Sequence, residues 1–157
     1  IYALSTVRQV RSVPGSRRHA TREDADLLIR WIRAFGAEAR HHASAPGEDA
    51  GKVVAARFDG PGGFAIWENG GEPVSLVGWG ARTPNGVRIG PVYTPREHRG
   101  RGYASALTAA VSAEQLAAGR RFCFLYTDAA NPTANKIYRA IGYEHVCESV
   151  ELAFEPA

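Results

Sequence analysis

Methionine is absent from these 157 residues, and the chain opens at Ile1. It is therefore expected to be a processed or excised piece of a longer gene product. No apolar run approaches the ~20 residues that a bilayer-spanning helix needs. The opening IYALSTVRQVRSV has no unbroken apolar segment behind a basic cluster, so it does not read as a signal peptide. Cysteine is scarce, with only Cys123 and Cys147 and no CxxC spacing. Both read as buried thiols in a reducing compartment, and a cytoplasmic location is expected. His41-His42 lacks companion ligands at metal-binding spacing, so no metal is expected. Lysine is nearly missing too: two Lys stand against seventeen Arg.

What is present describes one globular domain, with 45% hydrophobic and 22% charged residues. The formal charge is +3, which fits either nucleic acid or an anionic small ligand. Arginines cluster at Arg8, Arg11, Arg17 and Arg18 and again at Arg96, Arg99 and Arg101, without interleaved aromatics. Nucleic acid is accordingly not the expected partner. The second cluster is threaded with glycine, and that changes its meaning.

Residues 2–8 alternate loosely as a strand, Pro14-Gly15 punctuates, and Arg17–Ala20 resumes it. Thr21-Arg22-Glu23-Asp24 is a capping-box-like start. Leu28, Trp31, Ile32, Phe35 and Ala39 then recur at helical spacing, predicting an amphipathic helix to about Arg40. Asp49–Phe58 predicts a second helix, stopped by Gly60-Pro61-Gly62-Gly63. The period then changes to two. Phe64–Glu68 and Val74–Ala81 are strands around the hairpin turn Asn69-Gly70-Gly71, and Val87–Thr94 is a third. A helix over Gly102–Ala118 is closed by Gly119, where a left-handed backbone is needed. Arg121–Thr127 is a buried strand. Asn131-Pro132 opens a short helix as N-cap and first residue, and Gly142 ends it. Tyr143–Phe154 completes the pattern as a last strand or bent hairpin. The order implies an α/β (α+β) domain built on a mixed sheet.

The informative stretch is Val92 to Ala106, VYTPREHRGRGYASA. A strand runs into a loop, Arg99-Gly100-Arg101-Gly102-Tyr103-Ala104, inside which a helix begins. Glycines leave backbone amides unobstructed, and the first helical turn adds orphan amides and the positive end of the macrodipole. That combination suits phosphate groups, with Arg99 and Arg101 supplying charge. The dinucleotide pattern GxGxxG fails because Ser105 holds its third position, and no GKS or GKT makes a P-loop.

Arg99-x-x-Gly102-x-Ala104, after a strand and opening a helix, resembles the acetyl-coenzyme A signature of the GNAT N-acetyltransferases. Asn131-x-x-Ala134-x-x-Ile137-Tyr138, followed by Ile141-Gly142-Tyr143, is similar to a second segment of that family. The resemblance runs from about Val74 to Tyr143, extends less specifically back to Thr21, and leaves out Ile1–Pro14. It implies a single GNAT-like domain over 15–157, preceded by a strand or linker remnant at 1–14. The implied sheet is mostly antiparallel, splayed in the middle and flanked by about four helices.

The same resemblance implies acetyl-CoA as cosubstrate and an amine acceptor, a small molecule or peptide, that attacks the thioester directly. Val92 and Thr94 would offer backbone hydrogen bonds to pantetheine. The amides of Gly100, Arg101, Gly102, Tyr103 and Ala104, with Arg99, would hold the pyrophosphate. Asn131 would reach the cofactor, although as an N-cap it needs no function. Tyr138 would return a proton to the leaving thiolate, its alternative reading being core packing. Lys136 is either a 3′-phosphate contact or a solvated charge. The strand Val87–Thr94 carries no carboxylate to serve as base. Glu97 is expected to face solvent, and Glu38, His41 and His42 are candidates to line the acceptor pocket. A homodimer and an upstream domain are both compatible with the chain. The alternative is a coenzyme A-binding or regulatory module without transfer activity.

Overall fold

The computed structural model describes residues 1–39, 49–128 and 131–150. His41 and His42 lie outside them. The elements in chain order are β1 (Tyr2–Leu4), β2 (Ser16–His19), α1 (Ala25–Ala39) and α2 (Ala50–Asp59). Then come β3 (Gly63–Asn69), β4 (Glu72–Gly80), β5 (Gly86–Tyr93), α3 (Tyr103–Ala117), β6 (Phe122–Leu125), α4 (Pro132–Ile141) and β7 (Glu144–His145). The expected fold class holds: one mixed, mostly antiparallel sheet of seven strands with helices on both faces.

Local chemistry explains most boundaries. Asp24 accepts a hydrogen bond from the Thr21 amide at 2.8 Å, tying off the single 3-10 turn that leads into α1. Asp49 caps α2 through the Gly51 amide. Gly70 and Gly71 both have positive φ, the geometry a tight hairpin between β3 and β4 requires. Asn131 caps α4 through the Ala134 amide at 3.0 Å, with Pro132 in its first turn. Gly142 ends that helix in the left-handed region, and its amide and that of Tyr143 both donate to the Tyr138 carbonyl.

The strand order is β2-β3-β4-β5-β6-β1-β7. Every pair is antiparallel except β5 with β6, whose ladder covers only Gly86–Arg88 against Phe122–Phe124. Beyond Arg88 and Phe124 the two strands part, so the sheet divides in its middle. Residues 1–14 contribute an interior strand: β1 pairs with β6 on one edge and β7 on the other, and Tyr2 and Leu4 are buried. Of the last strand or bent hairpin expected over Tyr143–Phe154, the described residues form β7 at Glu144–His145, paired with Tyr2 and Ala3 of β1, and are irregular from Val146 to Val150; residues 151–157 lie outside the description.

Two cores form on opposite faces. Alternate residues Val77, Trp79, Val87, Ile89, Cys123 and Leu125 meet Leu107 and Val111 of α3 and Ile141 of α4. Phe64, Ile66 and Leu76 point the other way, onto Leu28 of α1 and Val54 of α2. Cys123 is buried as expected; Cys147 is exposed, a correction that follows from the irregular chain after β7. Among the described residues, no helix is long and apolar enough to cross a membrane.

Candidate active site at the division of the sheet

β5 leads straight into the glycine loop. Its register with β4 shifts between Val77 and Trp79, opposite Gly90 and Pro91, so the strand bends where it leaves β6. Val92 pairs with Val77 on the β4 side and packs against the larger core. Thr94 follows directly, its hydroxyl 2.9 Å from that of Ser75. Both residues thus stand along the parted edge.

The loop is held from several sides. Arg99 donates to the Thr94 carbonyl at 2.9 Å and to Glu38 of α1 at 2.7 Å, and stacks over Tyr93. Arg96 lies 3.5 Å from the same carboxylate. Two arginines of the cluster therefore pin the loop to α1, while Arg101 is exposed. Gly100 and Gly102 have φ of +75° and +90°, a region that side chains rarely enter. Gly102 begins α3 with no side-chain cap and no acidic residue in the first turn. Tyr103 is buried, its hydroxyl accepting from Asn69 at 3.0 Å, and Ala104 follows half-buried. The first amides of α3 are consequently presented at the end of β5, beside the division. This fits an anionic pyrophosphate: open donors, a positive helix end and glycine on both approaches.

Tyr138 is half-buried on α4, its ring edge-on to Tyr143 at 6.0 Å. It packs on the larger core, as Val92 does, which is its core-packing reading. Burial pushes its phenol up to about 12. Tyr143 is fully buried, bonded to Ser112 at 2.7 Å, and its phenol is raised by burial. Asn131 is spent on the helix cap but exposed, and Lys136 is exposed.

The candidate bases fare differently. Glu97 faces solvent, as expected. Glu38 lines a cleft with Trp31, Tyr93 and His98. Burial raises its carboxyl, but hydrogen bonding and charge from Arg99 and Arg96 outweigh that and hold it below the usual range. An ion-paired carboxylate is a poor proton acceptor, so Glu38 serves the loop.

Two residues escaped sequence reasoning. Arg57 of α2 lies across β4: a Cβ at Gly78 would sit 2.8 Å from its Nη1, and one at Gly80 would sit 3.5 Å from its Cζ. Arg88 stands opposite Gly80 in the β4–β5 register, at the last rung before β5 and β6 part. The available signal was the Gly78-x-Gly80 spacing, which clears one face of a strand for a close neighbour.

Residues 66–152 match the family described as FR47-like protein, and the chain belongs to that family of the GNAT N-acetyltransferase superfamily. Solved structures share the fold. A transcriptional regulator from Bacillus halodurans C-125 superposes with TM-score 0.71 at 18% identity, over 89% of this chain and 99% of that one. A GCN5-related N-acetyltransferase from Ralstonia eutropha JMP134 gives 0.63 at 23% identity, covering 88% and 97%. AAC(6')-Iy, in complex with the bisubstrate analog CoA-S-monomethyl-acetylneamine, gives 0.66 at 15% identity, covering 90% and 98%. No curated protein matches the chain. Acyl transfer from coenzyme A is the chemistry this family and fold support.

Proposed function

We propose that the protein moves an acetyl group from acetyl-CoA to an amine by direct attack. The observation that carries this reading is the uncapped N-terminus of α3, set behind two positive-φ glycines at the point where β5 leaves β6. The amides of residues 100–104 hold the pyrophosphate, with Arg101 adding charge and Arg99 keeping the loop in place. Pantetheine lies along the parted edge of β5 beside Val92 and Thr94, and Asn131 flanks it from α4. The Val92 amide stabilises the thioester oxygen as negative charge builds on it.

The amine nitrogen forms a bond to the carbonyl carbon, the carbon–sulfur bond breaks, and the sulfur leaves as thiolate. Tyr138 supplies the proton that makes it a thiol, and the proton released by the acylated nitrogen passes to water and restores the phenol. With its phenol at about 12, Tyr138 is a neutral donor throughout the physiological range. A free thiol near 8.5 makes complete transfer uphill by roughly 5 kcal/mol, so positioning and the shared hydrogen bond carry much of the effect. No carboxylate stands on β5, and an amine that binds already neutral needs no protein base.

Thiol release from acetyl-CoA with a panel of amines tests the transfer; release no faster than with water alone would sink it. Tyr138→Phe is expected to lower kcat tenfold or more with acetyl-CoA affinity within about twofold, and an unaltered kcat removes the acid role. The absence of a carboxylate on β5 and the engagement of Glu38 favour one other reading, a coenzyme A-binding module, which binds acetyl-CoA and releases no thiol.

A further inference from the structure

We infer that Val13, carried on a strap formed by residues 5–14, is the positioning residue for the turn at Gly102 and thereby for coenzyme A. The consequence for coenzyme A rests on the proposed use of the α3 amides; the seating of the turn stands on contacts within the chain.

The strap belongs to no helix or strand, yet it is tied at both ends. Near its start the Arg8 amide donates to the Ile141 carbonyl at 2.7 Å. A Cβ on Gly142 would sit 2.8 Å from the Thr6 carbonyl oxygen, so the segment passes close over the end of α4. At its far end the Trp67 indole N–H donates to the Pro14 carbonyl at 2.8 Å. Between these ties every third residue turns inward: Val7, Val10 and Val13 are half-buried, and the residues between them are exposed. That is the period of an extended, polyproline II-like chain. Val7 and Val10 pack on the larger core.

Val13 reaches the start of α3. Its Cγ1 lies 2.9 Å from the place a Gly102 Cβ would take, so the valine fills the space that the glycine leaves. One turn along, the Ala106 amide donates to the Gly102 carbonyl at 3.0 Å, the bond that opens the helix. Ala106 and Ala109 are buried, although at about 100° per residue both are turned well away from the sheet-facing Leu107 and Val111. Ala113, next on that side, is exposed. Cover on this side of α3 is therefore strongest in the turns nearest Val13.

The turn needs such a contact. Gly100 and Gly102 adopt positive φ with no side chains to restrict them, and α3 has no side-chain cap. The amides of residues 100–104 converge on one anion only while that backbone keeps a single shape. Asn69 holds the turn through the Tyr103 hydroxyl, Arg99 anchors its approach, and Val13 bears on Gly102 itself.

The test compares Val13→Ala with Val7→Ala, the same truncation of a half-buried valine at the two ends of one strap. Val13→Ala is expected to speed hydrogen exchange of the Ala106 amide at least tenfold over Val7→Ala, and to weaken acetyl-CoA binding at least fivefold. Val7→Ala should keep its acetyl-CoA affinity within about twofold, and Val13→Thr, which preserves the shape, should behave as the unaltered protein. Equal effects of the two alanine variants on exchange and affinity would overturn the assignment. A measurement without substitution checks it even if Val13→Ala does not fold. If the strap seats the turn, a ligand on the turn must tighten the strap, so saturating acetyl-CoA should slow trypsin cleavage after Arg8 and Arg11 at least threefold. Unchanged or faster cleavage in the saturated protein contradicts it. Faster Ala106 exchange in Val13→Ala, with no acetyl-CoA binding by the unaltered protein, leaves the seating role standing and removes the coenzyme A reading instead.

Discussion

The two faces of the sheet are built differently, and the difference separates stability from function. On the α3 and α4 face, a continuous core spans β3 to β6 and reaches β1, with Leu107, Val87 and Cys123 at 0% exposure. On the α1 and α2 face, among the described residues, the helices pack around Phe64, Ile66 and Leu76 of β3 and β4, and α1 reaches the end of β5 where Trp31 meets Tyr93. Past Gly80 that face offers glycines, two arginines and the half-exposed row Phe122, Phe124 and Tyr126. A close-packed surface leaves no room for a ligand, whereas a sheet stripped of side chains beside a parted strand edge does.

The sharpest way to break the comparison is to truncate one apolar side chain on each face. Leu107→Ala is expected to cost about 3 kcal/mol of unfolding free energy in urea titration. Phe124→Ala, removing a larger but half-exposed ring, is expected to cost about 1 kcal/mol. Equal losses would mean that the β6 face is covered in solution.

The faces should also respond to opposite ends of the pH scale. Burial raises Cys123 to about 12, Tyr138 to about 12 and Tyr143 further, all in the α3 and α4 core. Groups raised in the folded state stay neutral there while the unfolded chain ionises from 9.0 for the thiol and 10.0 for the phenols. Their contribution is therefore complete below about pH 9 and is lost as pH rises toward 12, by roughly 1.4 kcal/mol per pH unit per group. Urea midpoints measured from pH 8 to 11 should fall, and a flat series contradicts the burial of these groups.

Glu38 works in the reverse sense and more weakly. Its folded carboxyl is held below 4.5, so its support of the loop is present above that value and fades as pH falls below it. Exposure of Arg96 and Arg99 limits the effect, and Glu38→Gln is expected to cost less than about 1 kcal/mol at pH 7. A larger loss in thermal unfolding would show the Glu38 bridge to be a principal anchor of the loop.

Much of this was legible in the chain, for local reasons. Gly119, with φ of +92°, the cap pair Asn131-Pro132 and the turn at Gly70-Gly71 each impose a backbone conformation that few residues provide. The glycine loop could be read because its chemistry lies within one run of sequence. What escaped depends on partners far apart. β1 inserts beside β6 across more than a hundred residues, Glu38 meets Arg99 from 61 positions away, and Arg57 finds its trough only once β4 lies beneath α2. Periodicity reports which face of an element is apolar; it does not report which element will cover it.

Both the division of labour between the faces and the transfer chemistry depend on acetyl-CoA binding at the start of α3. Calorimetric titration of the folded protein with acetyl-CoA measures this most directly. The expected result is one site per chain, weakened at least tenfold in Gly102→Val, where a side chain at φ +90° costs about 1–2 kcal/mol and would meet Val13 at 2.9 Å. No detectable binding by the intact protein, or binding that Gly102→Val leaves unchanged while the variant remains folded, would contradict the account.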